Sequence, residues 1–271
     1  MSDAAPAPRV LLDAAVEMAR AAGAVLREGY GRAHRPERKG RIDLVTEYDR
    51  RSERLLLEAI ARRFPGHAVL AEESGASAPG DRVAPVRWLV DPLDGTTNFA
   101  HNYPFFCVSV AAEVEGVLAA GAVYDPVREE LFAAAAGEGA TLNGEPIRVS
   151  DIERVEDALL VTGFPYDVRE HPERSLPLFE AFLMRAQAIR RDGSAALNLC
   201  YLAAGRFDGL WEGHLSPWDM AAGVLMVREG GGRVTDYAGE PFRLGRREIL
   251  GSNGRLHEEM RVILAGARAA R

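Results

Sequence analysis

The run Trp88-Leu-Val-Asp91-Pro-Leu-Asp94-Gly95-Thr96-Thr97-Asn98-Phe99-Ala100-His101 constrains this chain more than any other stretch. Trp88 to Val90 reads as the apolar end of a buried strand. Pro92 bars simple continuation as a central strand, so the strand is expected to stop at Asp91. Asp94 adds a second carboxylate three residues later. Gly95 has no Cβ and lets the backbone approach a ligand closely, and Thr96 and Thr97 are helix-starting residues. Two carboxylates, a tight turn and a helix N-terminus thus meet at one strand end. Carboxylates bind hard divalent cations and helix N-termini bind phosphate. The pattern points to metal-assisted chemistry on a phosphate ester. The plainer alternative is a strand-to-helix turn with two capping aspartates.

The surrounding 271 residues suffice for a large core, in one domain or two tightly packed halves. Hydrophobic residues make up 47% and charged residues 27%, ordinary values for a soluble globular chain. No apolar run approaches the roughly 18 residues that suggest a membrane span. The N-terminus has no basic segment followed by an apolar one, so no secretory signal is expected. Cys107 and Cys200 lie in apolar surroundings and read as buried thiols rather than a disulfide. These features predict a cytoplasmic protein. The net charge of −7 argues against nonspecific nucleic-acid binding and for no nucleic-acid partner. It does not exclude an anionic substrate, because bound cations reverse the field of an acidic site.

Residues 1–8 read as a tail, and 9–271 as one domain with halves near 9–150 and 151–271. Apolar spacing from Val10 to Leu26 predicts an amphipathic helix. Gly29 to Gly40 is a basic loop or irregular hairpin that holds Lys39. Thr46 or Asp49 is placed to cap a helix reaching Phe64, and Pro65-Gly66 ends it. His67 to Ala71 is a short strand with Glu72-Glu73 at its end, followed by a surface loop from Ala76 to Pro85. Strands at 106–114, 117–124, 130–136 and 140–142, punctuated by turn residues, predict an antiparallel meander under the first two helices.

In the second half, strands are expected at 158–161, 188–191, 207–212, 233–237 and 248–252. Helices are expected at 172–184, 196–204, 217–229 and 254–265. The fold class is therefore an α+β or α/β layered sandwich. It has a large N-terminal antiparallel sheet and a smaller C-terminal α/β half.

Separated segments end strands or start helices with acidic or small residues: Thr46/Asp49, Glu72/Glu73, Asp91/Asp94/Gly95/Thr96 and Asp219. Gly193-Ser194-Ala195 and Glu212 could line the same cleft. In order and spacing, three segments resemble the inositol monophosphatase family of magnesium-dependent, lithium-sensitive sugar phosphatases: Asp43-Leu-Val-Thr46-Glu-Tyr-Asp49, Glu72-Glu73-Ser74 and the Asp91 run. Pro217-Trp218-Asp219-Met-Ala-Ala-Gly223, Gly193-Ser-Ala-Ala-Leu-Asn198 and Ala204-Gly-Arg206 fit the same pattern.

The resemblance implies that Glu72, Asp91 and the Leu93 carbonyl hold one Mg²⁺. Asp91 bridges to a second ion completed by Asp94 and Asp219. Glu72 holds a third loosely through water, giving about two to three ions of the oxygen-ligated kind. It implies catalytic roles for Thr96 and Asp49, which orient and deprotonate the attacking water, with Glu73 assisting. Leu93, Asp94, Gly95, Thr96 and Asp219 would meet the phosphate side of the substrate, and Gly193, Ser194, Ala195 and Glu212 its alcohol. The expected reaction is direct hydrolysis of a myo-inositol monophosphate or similar sugar phosphate, by a homodimer. Alternatives on the same fold are fructose-1,6-bisphosphatase, histidinol-phosphatase and 3′-phosphonucleotide phosphatase activity; another class is a noncatalytic binding protein.

Structural readings also stand for two of these residues: Ser194 as a helix cap and Glu212 as a surface carboxylate. Lys39 is set aside, because its spacing to Asp43 is one residue short of a common family form. Arg190 and Arg191 are placed outside the site. Asp192 departs from the family by putting an acid beside the substrate turn. His101 is given a helix-packing role.

Overall fold

Strand alternation sorts the core into layers. The computed structural model describes residues 5–32, 36–77 and 84–269. Its elements run α1 (Pro8–Gly29), β1 (Glu37–Arg38), β2 (Leu44–Val45), α2 (Glu47–Arg63), β3 (Ala68–Ala71), β4 (Gly75–Ser77), β5 (Val86–Asp94) and α3 (Thr96–Ala100). The meander follows as β6 (Cys107–Val114), β7 (Val117–Asp125), β8 (Glu130–Ala135), β9 (Gly139–Leu142) and β10 (Glu145–Pro146). Then come β11 (Leu159–Thr162), α4 (Leu176–Leu183), β12 (Ala188–Arg190), α5 (Ala195–Ala203), β13 (Gly209–Gly213), α6 (Pro217–Glu229), β14 (Arg233–Thr235), β15 (Glu248–Ser252) and α7 (His257–Ala269).

An eight-stranded sheet is ordered β10-β9-β8-β7-β6-β5-β3-β4, with only the β3–β5 pairing parallel. Trp88 and Val90 point into the core under α1 and α2, while Leu89 between them points into the core with α5 and α6. A five-stranded sheet, β12-β11-β13-β15-β14, repeats the alternation. Val161, Leu210 and Ile249 face α5 and α6, whereas Leu160, Trp211 and Leu250 face α4 and α7. The period of two thus gives each sheet two buried faces. The result is five layers: helices, sheet, helices, sheet, helices. The layered sandwich expected from the sequence is the one observed.

The middle layer explains why α6 carries almost no polar face. Met220 to Val227 are buried without a break, because the helix packs on the first sheet and on β14 of the second. Gly223 makes this possible: a Cβ there would lie 2.5 Å from Leu199 Cβ on α5.

Several boundaries depart from expectation. The strand at Trp88 does not stop at Asp91 but continues through Pro92 to Asp94. Its register against β6 slips between Asp91 and Asp94. A bulge is where a central strand tolerates proline and re-aims its side chains. Pro8 already belongs to α1, as a first-turn proline needing no N–H partner, so the expected tail is too long by that residue. The 172–184 helix is two pieces, a 3₁₀ turn at Pro172–Arg174 and then α4, because Pro177 cannot sit inside a continuous helix. The last helix starts at His257: Asn253 Oδ1 accepts from the N–H groups of Arg255 and Leu256 and holds a turn ahead of it. Of the surface loop at Ala76–Pro85, residues 76–77 end β4 and 78–83 lie outside the described residues.

Candidate active site

The bulge at the end of β5 opens onto a cleft of about 380 Å³ between the two sheets. Gly95, at φ +98°, is the N-cap of α3, and a Cβ there would press on the Phe105 carbonyl at 3.0 Å. Glycine is required on both counts. Thr96 is therefore the first helical residue rather than the cap.

Of the acids that line this cleft, four come from three segments: Glu72 after β3, Asp91 and Asp94 on β5, and Asp219 in the first turn of α6. All four have an oxygen tied by hydrogen bonds, Glu72 Oε1 by the Lys39 ammonium and the other three by groups of the turns and helix starts around them. Asp91 Oδ1 accepts from the Leu93 N–H at 3.0 Å, and Asp219 Oδ2 accepts from the Ser216 N–H at 2.7 Å. Asp94 Oδ2 accepts from the Ser194 hydroxyl and the Ala196 N–H, both at 2.7 Å. These bonds hold the carboxylates in place.

Burial pushes the Asp91 carboxyl well above its usual range, and Glu72, Asp94 and Asp219 push it further. Asp219 is raised by burial and then by Asp94. Glu72 is pushed up to about 7, by burial first, with Lys39 opposing the rise. Such crowding of like charge is relieved by a cation. An all-oxygen donor set suits Mg²⁺ in kind and charge. Among the described residues no three acidic, imidazole or thiol groups already close on one point as a finished coordination shell. Part of the compensating charge comes instead from Lys39, whose Nζ lies 2.9 Å from Glu72 Oε1 and 2.5 Å from Glu73 Oε1.

Thr96 Oγ1 borders the cleft and lies 2.9 Å from Asp49 Oδ1 and 3.0 Å from the Leu93 carbonyl oxygen. Asp49 is wholly buried behind it. The other Asp49 oxygen closes a capping box with Thr46 at the start of α2. The capping reading and the pairing with Thr96 therefore both hold for Asp49. Burial raises the Asp49 carboxyl above its usual range, against hydrogen bonds from Thr46 and Thr96 that lower it.

Gly193, Ala195 and Glu212 line the far wall, while Ser194 does not. Ser194 is buried, caps α5 by accepting from the Leu197 N–H, and holds Asp94. Its expected substrate contact is corrected to a structural one. Glu212 is no surface carboxylate: it is buried, and its Oε2 has no hydrogen-bond partner among the described residues. Burial, with Asp94 adding to it, raises it to about 8.

Other placements are corrected too. Glu73 does not line the cleft and is engaged by Lys39. Lys39, set aside on spacing, lines the cleft, as does Arg191. Asp192 does not; its carbonyl is held by Asn98 Nδ2 at 2.7 Å, which ties the turn to α3. His101 is the exposed C-cap residue of α3, not a buried helix-packing one. Tyr166 and Arg247 line the cleft without any periodic or motif signal in the sequence. Only the tertiary fold brings them in.

Comparison with known proteins matches residues 7–268 to the model of the inositol monophosphatase family. The chain belongs to the inositol monophosphatase family. Within it, the chain is 47% identical over 255 residues to an inositol-1-monophosphatase of Synechocystis, covering 94% of this chain and 88% of that protein. It is 41% identical over 247 residues to a protein of Vibrio cholerae named Nus factor SuhB, covering 90% and 92%. The solved structure of the inositol monophosphatase from Anabaena superposes with a TM-score of 0.87 at 45% identity, covering 95% of this chain and 96% of that one. Family and fold agree with the resemblance read from the sequence segments, and membership of this family supports a phosphatase.

Proposed function

We propose that this chain hydrolyses a myo-inositol monophosphate or a similar sugar or polyol phosphate, with Mg²⁺ as cofactor. The observation that carries this reading is the Thr96–Asp49 pair opening onto a cleft lined by four mutually repelling carboxylates. Binding of a ligand alone needs no buried base behind a hydroxyl. Glu72, Asp91, the Leu93 carbonyl, Asp94 and Asp219 would hold about two to three Mg²⁺ ions, which supply Lewis acidity at phosphorus and lower the pKa of water.

The chain's own residues supply the rest. Thr96 Oγ1 donates to Asp49 Oδ1, which leaves the hydroxyl oxygen able to accept a hydrogen bond from the attacking water. Asp49, raised in basicity by burial, draws the proton through Thr96. Backbone N–H groups of Gly95 and Thr96 lie at the bulge where phosphate oxygens would sit. Glu212, protonated below about pH 8, presents a buried carboxyl able to donate to and accept from hydroxyl groups of the alcohol. Gly193 and Ala195 leave room for a ring beside it.

Phosphate release from a panel of sugar phosphates, with and without Mg²⁺, tests this. No Mg²⁺-dependent release from any of them would sink the enzyme reading. The homodimer and the cytoplasmic location remain part of the same proposal, and light scattering and fractionation address them. The net charge of −7 supports a reading without nucleic acid. Retention on RNA at physiological salt would instead move the chain toward the role named for its Vibrio relative.

A further inference from the structure

Helix α2 buries a stripe whose composition changes along its length. Asp49, Ser52, Glu53, Leu56 and Ile60 lie on its inner face, at the helical spacing of a core-facing stripe. Leu56 and Ile60 are apolar. The residues before them are polar and nearly inaccessible, with Asp49 and Ser52 at 0% exposure and Glu53 at 4%. Each polar residue reaches a different part of the acidic cleft's frame. Asp49 meets Thr96. Ser52 and Glu53 stand outside that proton path and have other partners.

Ser52 serves the bulge of β5. Its hydroxyl donates to the Pro92 carbonyl at 2.8 Å. The pairing of β5 with β6 slips between Asp91 and Asp94, so this carbonyl falls where the ladder is interrupted. A buried carbonyl without a ladder partner needs another donor, and Ser52 supplies it. The N–H of the same peptide, that of Leu93, donates to Asp91 Oδ1 at 3.0 Å. The Pro92–Leu93 peptide is thus held at both ends, its oxygen by α2 and its N–H by the carboxylate.

Glu53 serves the other arm. Its Oε2 accepts from the Glu73 N–H at 2.8 Å, 20 positions further along the chain. The Glu72 N–H donates to the Val90 carbonyl on β5 at 3.3 Å. The backbone is therefore fastened on both sides of the Glu72 Cα, to β5 before it and to α2 after it. A carboxylate is a costly way to hold one amide. Among the described residues Glu53 pairs with no cation, and its charge faces that of Glu73. An apolar side chain at a buried position of this kind often serves stability as well or better. Packing alone does not account for Glu53.

We propose that Ser52 and Glu53 are positioning residues for the cation site: one buried edge of α2 sets the Asp91 arm through Pro92 and the Glu72 arm through Glu73, and so fixes the gap between two carboxylates that would share an ion. The inference rests on the Mg²⁺-dependent reading of the cleft and gives α2 a duty that the Thr96–Asp49 pair does not include. Neither Ser52 nor Glu53 lines the cleft, so both act through the ligands they hold.

The test compares Glu53→Ala, Glu53→Gln and Ser52→Ala with wild type. Mn²⁺ affinity is read by electron paramagnetic resonance, beside the Mg²⁺ concentration that gives half-maximal phosphate release. Loss of a group that orients a metal ligand typically weakens metal binding about 10- to 100-fold. Both alanine variants are expected to weaken Mn²⁺ binding and raise the half-maximal Mg²⁺ concentration by that order, while kcat at saturating Mg²⁺ recovers most of its wild-type value. Glu53→Gln keeps an oxygen able to accept the Glu73 N–H and should restore most of the affinity. Unchanged affinity in both alanine variants, equal losses in Glu53→Gln and Glu53→Ala, or wild-type protein that binds no Mn²⁺ would overturn the proposal. A loss confined to one alanine variant upholds the role for that residue and overturns it for the other. If Glu53→Ala melts early without metal, Glu53→Asp takes its place: it keeps the charge but withdraws it from the Glu73 N–H. Weakened Mn²⁺ binding is again expected, and wild-type affinity overturns the role of Glu53. If no phosphoester is hydrolysed, the phosphatase reading fails on that count alone, and Mn²⁺ binding still decides the proposal.

Discussion

Thr96 Oγ1 lies 2.9 Å from Asp49 Oδ1, joining the first residue of α3 to the first turn of α2 across 47 positions of sequence. Asp49 has two duties on two oxygens. Oδ2 takes the Thr46 N–H and hydroxyl and so starts α2, while Oδ1 takes the Thr96 hydroxyl. The helix cap therefore fixes the orientation of the candidate base.

Thr96→Ala isolates the second duty. It should lower kcat about 10²- to 10⁴-fold, the usual range for a general-base contribution, with Mg²⁺ affinity held near wild type. Steady-state kinetics paired with Mn²⁺ binding by electron paramagnetic resonance checks this. An equal loss of metal affinity would remove Thr96 from the proton path. Asp49→Asn is the poorer probe, since it also disturbs a cap worth about 1 kcal/mol.

Gly163→Ala should act through Glu212. A Cβ at residue 163 would lie 1.8 Å from Glu212 Oε1, at the end of a side chain that can swing away. Displacing that carboxyl is expected to raise KM for a polyol phosphate more than for 4-nitrophenyl phosphate, with little loss in Tm. A KM unchanged for both substrates would show that Glu212 does not meet the alcohol.

Lys39→Met should make the fold more dependent on divalent cations. Burial works to lower the Lys39 pKa, yet its ion pairs with Glu72 and Glu73 raise it overall. Without this ammonium, Glu72 faces Asp91, and Glu73 faces Asp49 and Glu53, uncompensated. In EDTA the variant should melt below wild type, and added Mg²⁺ should raise its Tm by more than it raises that of wild type. Identical Mg²⁺ shifts in both proteins would separate Lys39 from the cation site.

His257 gives the second sheet an acid-sensitive point. It is buried and hydrogen-bonded to Thr235 and Ser252, at 2.9 Å each. Burial, helped by Arg233, lowers it to about 4 from an ordinary 6.5. The folded state then binds fewer protons than the unfolded one between these values. Its contribution is fully present above pH 6.5 and is lost as pH falls toward 4. Tm measured across this window should fall more steeply for wild type than for His257→Gln. Parallel curves would show that His257 carries no such linkage.

Asp94→Asn is not the clean metal probe that an exposed turn would allow. Asp94 Oδ2 also anchors the start of α5 through Ser194 and Ala196. The substitution should lower Tm in EDTA as well as activity in Mg²⁺, and a thermal melt without metal separates the two effects. An unchanged Tm would show that the α5 anchor carries little weight.

Much of the fold was legible because its signals are local. The meander follows from short apolar runs broken by turn residues, and α6 matches its expected span at Pro217–Glu229. Pro217 opens that helix, and an unbroken apolar run fills its interior. The passage of β5 through Pro92 was not legible, because only the partner strand β6 shows that a bulge absorbs the proline.

By itself the sequence determined the strand–turn–helix at Asp91 to Thr96, the acids that could gather there, and the family. Those depend on residue type and on spacing within segments and their order along the chain. Tertiary structure decided what each group faces. It turned Ser194 inward to Asp94, brought Lys39 onto Glu72 and Glu73, and left Glu212 Oε2 without a partner among the described residues. It also set four arginines from three segments around one cavity. Spacing within a segment leaves no trace of such meetings, because they depend on how five layers stack and which wall each loop crosses.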